Sequence, residues 1–378
     1  MSENILKQLA TAGVQLLQAY QPGKPLDELE REYGITNAVK LASNENPLGP
    51  GVAAMNAVRK GIETLSRYPD GNGFELKTQL AVRHGVGVDQ ITLGNGSNDI
   101  LELLTRAFVT PEHEIIFSQH AFAVYPIVTQ AVGATAVITP ARNWGHDLDA
   151  MRNAVTSKTR VIFIANPNNP TGTWLSADEL RQFINDIPQN ILIVLDEAYF
   201  EYASDPAMKV DSYPDSSQWL ADFPNLIVTR TFSKVHGLAG LRIGYSLSHP
   251  DVADILNRVR QPFNVNSLAL SAASAALEDQ HHLEKSLTCN VKGMQQLMQA
   301  FSTMALEYIP SVGNFICVKV GDGLKVYDSL LYHGVIVRPV ANYELPEYIR
   351  ITIGTTDENE RFINALKEVL NPSNGAHH

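Results

Sequence analysis

Residues 230–244 read Arg-Thr-Phe-Ser-Lys-Val-His-Gly-Leu-Ala-Gly-Leu-Arg-Ile-Gly and follow Leu226-Ile227-Val228, a β-branched run behind Pro224-Asn225. Such a run predicts a buried strand. Hydroxyls, a lysine, a glycine-rich turn and an arginine then follow the strand end in that order. A lysine is costly to bury unless it is paired or chemically employed. The chemistry on offer is a Schiff base between Lys234 and a carbonyl cofactor, with Thr231, Ser233 and Arg242 around that cofactor's phosphate. A loop lysine after a strand is the ordinary alternative, and this stretch alone leaves both open.

Three further stretches carry polar groups at strand ends. Gly94-Asn95-Gly96-Ser97-Asn98-Asp99 lies between the strand Ile91-Thr92-Leu93 and a helix, so backbone N–H groups and the positive end of the helix dipole face outward there. Its spacing is neither GxGxxG nor a Walker loop, and simple capping by Ser97 and Asn98 is the competing reading. Asp196 ends the apolar run Ile193-Val194-Leu195, where an unpaired carboxylate would be expensive. A protonated ring nitrogen would be its natural partner and Tyr199 lies near enough in sequence to reach the same ligand; a helix cap is the alternative. Asn166-Pro167-Asn168-Asn169-Pro170-Thr171-Gly172 follows another strand and presents amides that hydrogen-bond without ionising, or forms only a turn.

The elements that must position these groups follow from hydrophobic patterning. Continuous apolar runs at Ile91–Leu93, Glu114–Ser118, Ala134–Thr139, Val161–Ala165, Ile191–Asp196, Leu226–Thr231 and Ile243–Leu247, separated by helical stretches, predict an α/β fold whose mostly parallel sheet is covered by helices. A smaller α+β domain follows, with strands at Asn314–Val320, Val335–Val340 and Tyr348–Ile353. We expect a large domain over residues 46–262. Residues 1–45 and 263–378 should form the small domain, with an amphipathic helix over 4–20 and one long helical segment from Ser267 to Met304 bridging the two parts as a hinge.

Composition narrows the function. The chain has 378 residues, 44% hydrophobic and 18% charged, which suits a globular protein with a large core. A net charge of -11 argues against nucleic acid and anionic membranes as partners. No apolar run approaches membrane length and the first thirty residues do not resemble a secretory signal, so a cytoplasmic location is expected. Cys289 and Cys317 are too few and too distant for a disulfide framework, no metal-site spacing occurs, and His236 and His281-His282 read as packing and a solvated helix face.

Asn-Pro-Asn-Asn-Pro-Thr-Gly (166–172), Asp-Glu-Ala-Tyr (196–199), Thr-Phe-Ser-Lys (231–234) and Gly-Leu-Arg-Ile-Gly (240–244), in this order and spacing, resemble the fold type I pyridoxal-phosphate aminotransferases of class I/II. Within that superfamily, Pro22-Gly23-Lys24-Pro25, residues 43–50, Arg67-Tyr68-Pro69-Asp70 and residues 349–354 look like the histidinol-phosphate aminotransferases, whose relatives include aromatic aminotransferases and threonine-phosphate decarboxylases. The resemblance implies pyridoxal 5'-phosphate as cofactor, Lys234 as its covalent anchor and proton shuttle, and Asp196 on the pyridine nitrogen. It implies Tyr199 and Asn169 on the phenolic oxygen, and Ser97, Asn98, Thr231, Ser233 and Arg242 on the phosphate. Tyr68 would reach that phosphate from the second subunit of a homodimer. Phe122 falls where the family usually places a ring-stacking tyrosine, which keeps the stacking and loses the hydroxyl. Arg350 would grip an α-carboxylate and Arg338 a substrate phosphate, with Tyr20 and Asn46 closing over the ligand. The implied reaction is transamination between L-histidinol phosphate and 2-oxoglutarate. An aromatic amino-acid aminotransferase is the alternative enzyme, and a ligand-sensing regulator that borrows the fold the alternative class.

Overall fold

The computed structural model describes residues 5–19, 23–208, 210 and 212–371. Seven strands form the main sheet: β1 (Ile91–Gly94), β2 (Glu114–Ser118), β3 (Thr135–Thr139), β4 (Thr159–Ala165), β5 (Leu192–Asp196), β6 (Leu226–Thr231) and β7 (Gly244–Leu247). Their spatial order is β1-β7-β6-β5-β4-β2-β3, and β7 alone runs antiparallel to its neighbours. Period-two alternation divides the strands between two cores. Ile193, Leu195 and Val228 pack on one face, and Val194, Ile227 and Phe163 on the other. The C-terminal ends of β1, β4, β5 and β6 and the start of β7 therefore share one sheet edge, where open α/β sheets bind ligands.

A four-stranded antiparallel sheet follows, made of β8 (Tyr308–Ile309), β9 (Phe315–Lys319), β10 (Arg338–Pro339) and β11 (Tyr348–Thr352) in the order β8-β9-β11-β10. Ile316, Val318, Ile349 and Ile351 pack on one face against Leu297, Phe301, Phe362 and Leu366. Alternation sends Arg350 to the opposite face. The N-terminal part joins this unit through Val39–Lys40, which pairs in parallel with Val335–Ile336, while Leu29 and Ala42 pack with Leu331 and Ile336.

Three expectations about elements change. The segment Ser267–Met304 is two helices, Ser267–Glu278 and Gln280–Thr303, because Asp279 leaves helical geometry and its side chain caps the second helix by accepting from the His282 N–H at 3.1 Å. The link between the two parts falls to the second helix alone, with Leu283 packed beside Tyr199 and Val235 and with Leu297 and Phe301 in the core of the four-stranded sheet. The amphipathic helix expected over 4–20 is present only as the four-residue turns Ile5–Gln8 and Ala12–Gln15, with Leu6, Leu9 and Leu16 each 77% exposed. Helices that short need a packing partner; among the described residues Ala12–Gln15 meets Val124–Ala131, while those leucines stay exposed. Val335–Val340 is likewise two short strands, which pair with different neighbours on either side of Val337.

Candidate active site

A cavity of about 200 Å³ opens on the strand-end edge of the main sheet and is roofed by the four-stranded sheet. Its lining includes Ser97, Asn98, Phe122, Asn169, Asp196, Tyr199, Thr231, Ser233, Lys234, Arg242, Arg338 and Arg350. Residues named from seven separate stretches of sequence thus meet around one space.

Asp196 sits at the floor, 4% exposed. One carboxylate oxygen accepts from the Tyr125 hydroxyl at 2.9 Å and the other from Thr229 at 3.2 Å. Burial pushes its pKa up, while the Tyr125 and Thr229 hydrogen bonds, the Ala198 N–H and the Lys234 charge act in the opposite direction. Tyr125 is itself fixed, stacked on Phe163 at 4.7 Å and edge-on to Phe122 at 5.9 Å. The Lys234 ammonium donates to the Ser43 carbonyl at 3.1 Å. Burial, helped by the nearby Arg350 charge, pulls its pKa down to about 8. A lysine poised there is a far better nucleophile and base at neutral pH than a solvated one.

The phosphate-compatible corner is built at the first turn of the helix Ser97–Phe108. Gly96 precedes it with φ of 86° and offers no side-chain cap, so the first-turn N–H groups are not consumed by one. A Cβ on Gly96 would lie 2.5 Å from Arg242 Nη2, so only glycine lets that guanidinium close on the helix end. The Thr231 and Ser233 hydroxyls line the same region, with the Ser233 N–H bound to Thr231 Oγ1 at 3.1 Å.

On the roof, Arg338 and Arg350 are direct register partners on β10 and β11. Arg350 is 5% exposed; its Nη1 donates to Asn169 Oδ1 and its Nη2 to the Ala42 carbonyl at 2.8 Å, while its Nε has no hydrogen-bond partner among the described residues. The Asn-Pro loop is sorted by function. Asn166 ties to Leu175 and Asn168 to His120 and Thr171, which leaves Asn169 facing the cavity.

Some expected residues lie elsewhere. Asn46 is absent from the lining; its amide donates to the Val235 carbonyl at 2.7 Å and to Ser286 Oγ at 2.8 Å, so it ties the loop down and does not face a ligand. Asn44, from the same loop, lines the cavity instead. Tyr68 points away from this chain's cavity, 83% exposed and stacked on Phe263 at 4.8 Å. Tyr20 lies outside the described residues. His236 is buried beside Phe232 and off the lining, its pKa pushed down to about 3 by burial, as packing requires. Sequence reasoning missed Ser43, Asn44, Tyr125, Thr229 and Tyr343. Ser43 and Asn44 fall inside residues 43–50, and Tyr125 lies three residues after Phe122, while Tyr343 left no signal of its own.

The residues fit a flat aromatic phosphate ester that carries an aldehyde. A lowered lysine and a buried carboxylate face one another, an uncapped helix start meets Arg242, and a partnerless Arg350 nitrogen marks an anion-seeking roof. Residues 36–366 match the family model for aminotransferase class I and II, and the chain belongs to that family. Its relatives there include histidinol-phosphate aminotransferase 1 of Nitrosococcus oceani, 57% identical over 98% of this chain and 99% of the relative. Histidinol-phosphate aminotransferase 2 of Pseudomonas fluorescens is 60% identical over 96% of this chain and 97% of its own length. The crystal structure of the Sinorhizobium meliloti histidinol-phosphate aminotransferase in complex with pyridoxal-5'-phosphate superposes with a TM-score of 0.88 at 30% identity, covering 96% of this chain and 98% of that one. The chain is a pyridoxal-phosphate-dependent aminotransferase.

In the cofactor-free protein, the reaction of Lys234 with trinitrobenzenesulfonate should reach half its maximal rate near pH 8, with Lys234→Ala supplying the background. A midpoint at the ordinary lysine value of about 10.4 would show that burial does not tune this amine.

Proposed function

We propose that the enzyme transfers the amino group of L-histidinol phosphate to 2-oxoglutarate, giving imidazole-acetol phosphate and glutamate in histidine biosynthesis. The observation that carries this choice of donor is the roof pairing of Arg338 with Arg350. Like charges directly opposite one another on a sheet repel, and a doubly charged phosphate resolves that repulsion better than an aromatic ring does. The printed names of the relatives point the same way.

When bound, pyridoxal 5'-phosphate supplies an aldehyde that condenses with amines and a protonated pyridine ring that accepts the electrons released at the substrate's Cα. Lys234 would anchor it, and its freed amine would take the proton from the donor's Cα and deliver it to the cofactor's C4′, with the reverse transfer in the acceptor half-reaction. Asp196, fixed by Tyr125 and Thr229, keeps the ring nitrogen protonated. Tyr199 and Asn169 face the phenolic oxygen, and Phe122 covers a ring face. Ser97, Asn98, Thr231, Ser233 and Arg242 hold the phosphate. Arg350 grips the carboxylate of glutamate and 2-oxoglutarate in one half-reaction, and Arg338 reads the phosphate of histidinol phosphate in the other.

The working unit in this proposal is a cytoplasmic homodimer. Ile62, Leu65, Tyr68 and Phe74 are all more than half exposed within one short stretch, and Tyr68 stacks on Phe263, itself 44% exposed. An aromatic surface of this kind suits burial against a second copy, where Tyr68 meets the partner's phosphate site. Among the described residues no helix is long and apolar enough to cross a membrane, and no group of His, Cys, Asp and Glu could hold a metal ion.

Two measurements test these assignments. Arg338→Ala should lower kcat/KM for histidinol phosphate by about 100-fold, the loss of a charge-assisted contact worth roughly 2–3 kcal/mol, and leave that for phenylalanine within about threefold; equal losses would remove the phosphate role. Mixing inactive Lys234→Ala with Tyr68→Ala subunits should restore about a quarter of wild-type activity, since half the dimers then hold one intact site. No recovery on subunit exchange would place Tyr68 outside the neighbouring site.

A further inference from the structure

We propose that Asn44 is a positioning residue that fixes the direction in which the Tyr199 hydroxyl donates, and so sets the protonation of the bound cofactor from behind the phenol. This inference rests on the placement of Tyr199 beside the cofactor's phenolic oxygen proposed above.

Two relays converge on Tyr199, and each begins at a group that can only donate. The backbone N–H of Asn44 donates to Thr352 Oγ1 at 2.9 Å. The Thr352 hydroxyl proton is then directed to Asn44 Oδ1, 3.3 Å away. That assignment makes Oδ1 the accepting end of the amide and turns Nδ2 toward the Tyr199 oxygen, which it meets at 2.9 Å. The second relay starts at the guanidinium of Arg350. Its Nη1 donates to Asn169 Oδ1, and Asn169 Nδ2 donates to the same Tyr199 oxygen at 3.2 Å.

A phenol oxygen can accept as well as donate. Both amides donate to the Tyr199 oxygen and cannot take its proton, which is left for an acceptor on the cavity side. Burial pushes the pKa of Tyr199 up to about 12, so the proton is present to be donated. The ring is held edge-on to Phe315 at 5.0 Å, which limits its freedom to turn away. Donation to the cofactor's phenolic oxygen favours the anionic form of that oxygen and lowers the pH at which the chromophore loses its proton.

Asn44 suits this task by backbone as well as side chain. It has φ of 54°, a left-handed conformation in which Asn, Asp and Gly are the tolerated residues. Its carbonyl accepts from Asn314 Nδ2 at 3.0 Å, and Thr352 belongs to β11, so the residue is held by the four-stranded sheet while its amide reaches a residue of the main-sheet edge. Asn44 is 1% exposed, so its amide reaches Tyr199 from a packed position.

The test is a pH titration of the visible absorbance of the holoenzyme in wild type, Tyr199→Phe, Asn44→Gly and the double variant. Glycine keeps the left-handed backbone and adds no charge; Asn44→Asp, of the same shape but without the N–H donor, serves in the same series if the glycine variant does not fold. Tyr199→Phe should raise the midpoint by about one pH unit, a tenfold change in the proton equilibrium. Asn44→Gly should raise it in the same direction, and in the Tyr199→Phe background its effect should fall below half. An Asn44→Gly midpoint equal to wild type, or a shift at least half retained without the phenol, overturns the role of Asn44 alone. No shift in Tyr199→Phe itself overturns the placement of Tyr199 on which the inference rests.

Discussion

The juxtaposition of Arg338 and Arg350 as cross-strand neighbours is the constraint around which the site is arranged. Two guanidiniums, each no more than 9% exposed, gain little from water and repel across the sheet. Arg350 is steadied by Asn169 and the Ala42 carbonyl, but neither partner carries a charge. Lys234 and Arg242 add further positive charge to a cavity whose lining contains a single carboxylate, Asp196. The arrangement is stable as a reservoir of attraction for anions. It suits a phosphorylated cofactor together with the dicarboxylate acceptor and phosphorylated donor proposed above.

Holding such charge in place demands a rigid frame, and the main sheet provides it. Consecutive residues at the ends of β5 and β6 divide the labour. Asp196 and Thr231 face the cavity, while their neighbours Glu197 and Arg230 turn away and pair at 2.8 Å, with Asp215 joining Arg230 at 2.6 Å. Arg230 and Glu197 are almost fully buried, so the pair resists separation: losing Arg230 strands the Glu197 charge, typically at 3–5 kcal/mol. The strand ends that carry Asp196, Thr231 and Lys234 are thereby locked beside one another. Chemistry on one side of each strand is braced by an ion pair on the other.

Much of this was legible because strand ends are local. An apolar run that stops at Asp196 or Thr231 announces both the strand and the edge where its last side chain works, and no long-range information is needed. The arginines of the roof were legible as residues, but their direct opposition depends on the register of β10 with β11, which pattern alone does not specify. Asn44 and Asn46 lie two residues apart in one loop, and the left-handed turn at Asn44 sends their amides to different partners. Tyr125 was hidden because a turn from Phe122 into the helix Val124–Ala131, rather than sequence proximity, carries its hydroxyl to Asp196. The break at Asp279 was readable in retrospect, since an acidic cap interrupts an otherwise continuous helical pattern. The N-terminal leucines show the opposite case: an amphipathic pattern states what a segment needs, yet among the described residues Leu6, Leu9 and Leu16 stay exposed.

The central claim is that the paired roof arginines select a phosphorylated amino donor. It is tested most directly by kcat/KM of the wild-type holoenzyme for L-histidinol phosphate, phenylalanine and tyrosine, with 2-oxoglutarate as the common acceptor. A site built to hold an anion should disfavour donors that bring no phosphate to Arg338, so a preference for histidinol phosphate of at least about 100-fold is predicted. Equal efficiency with all three donors, or a preference for an aromatic amino acid, would contradict it.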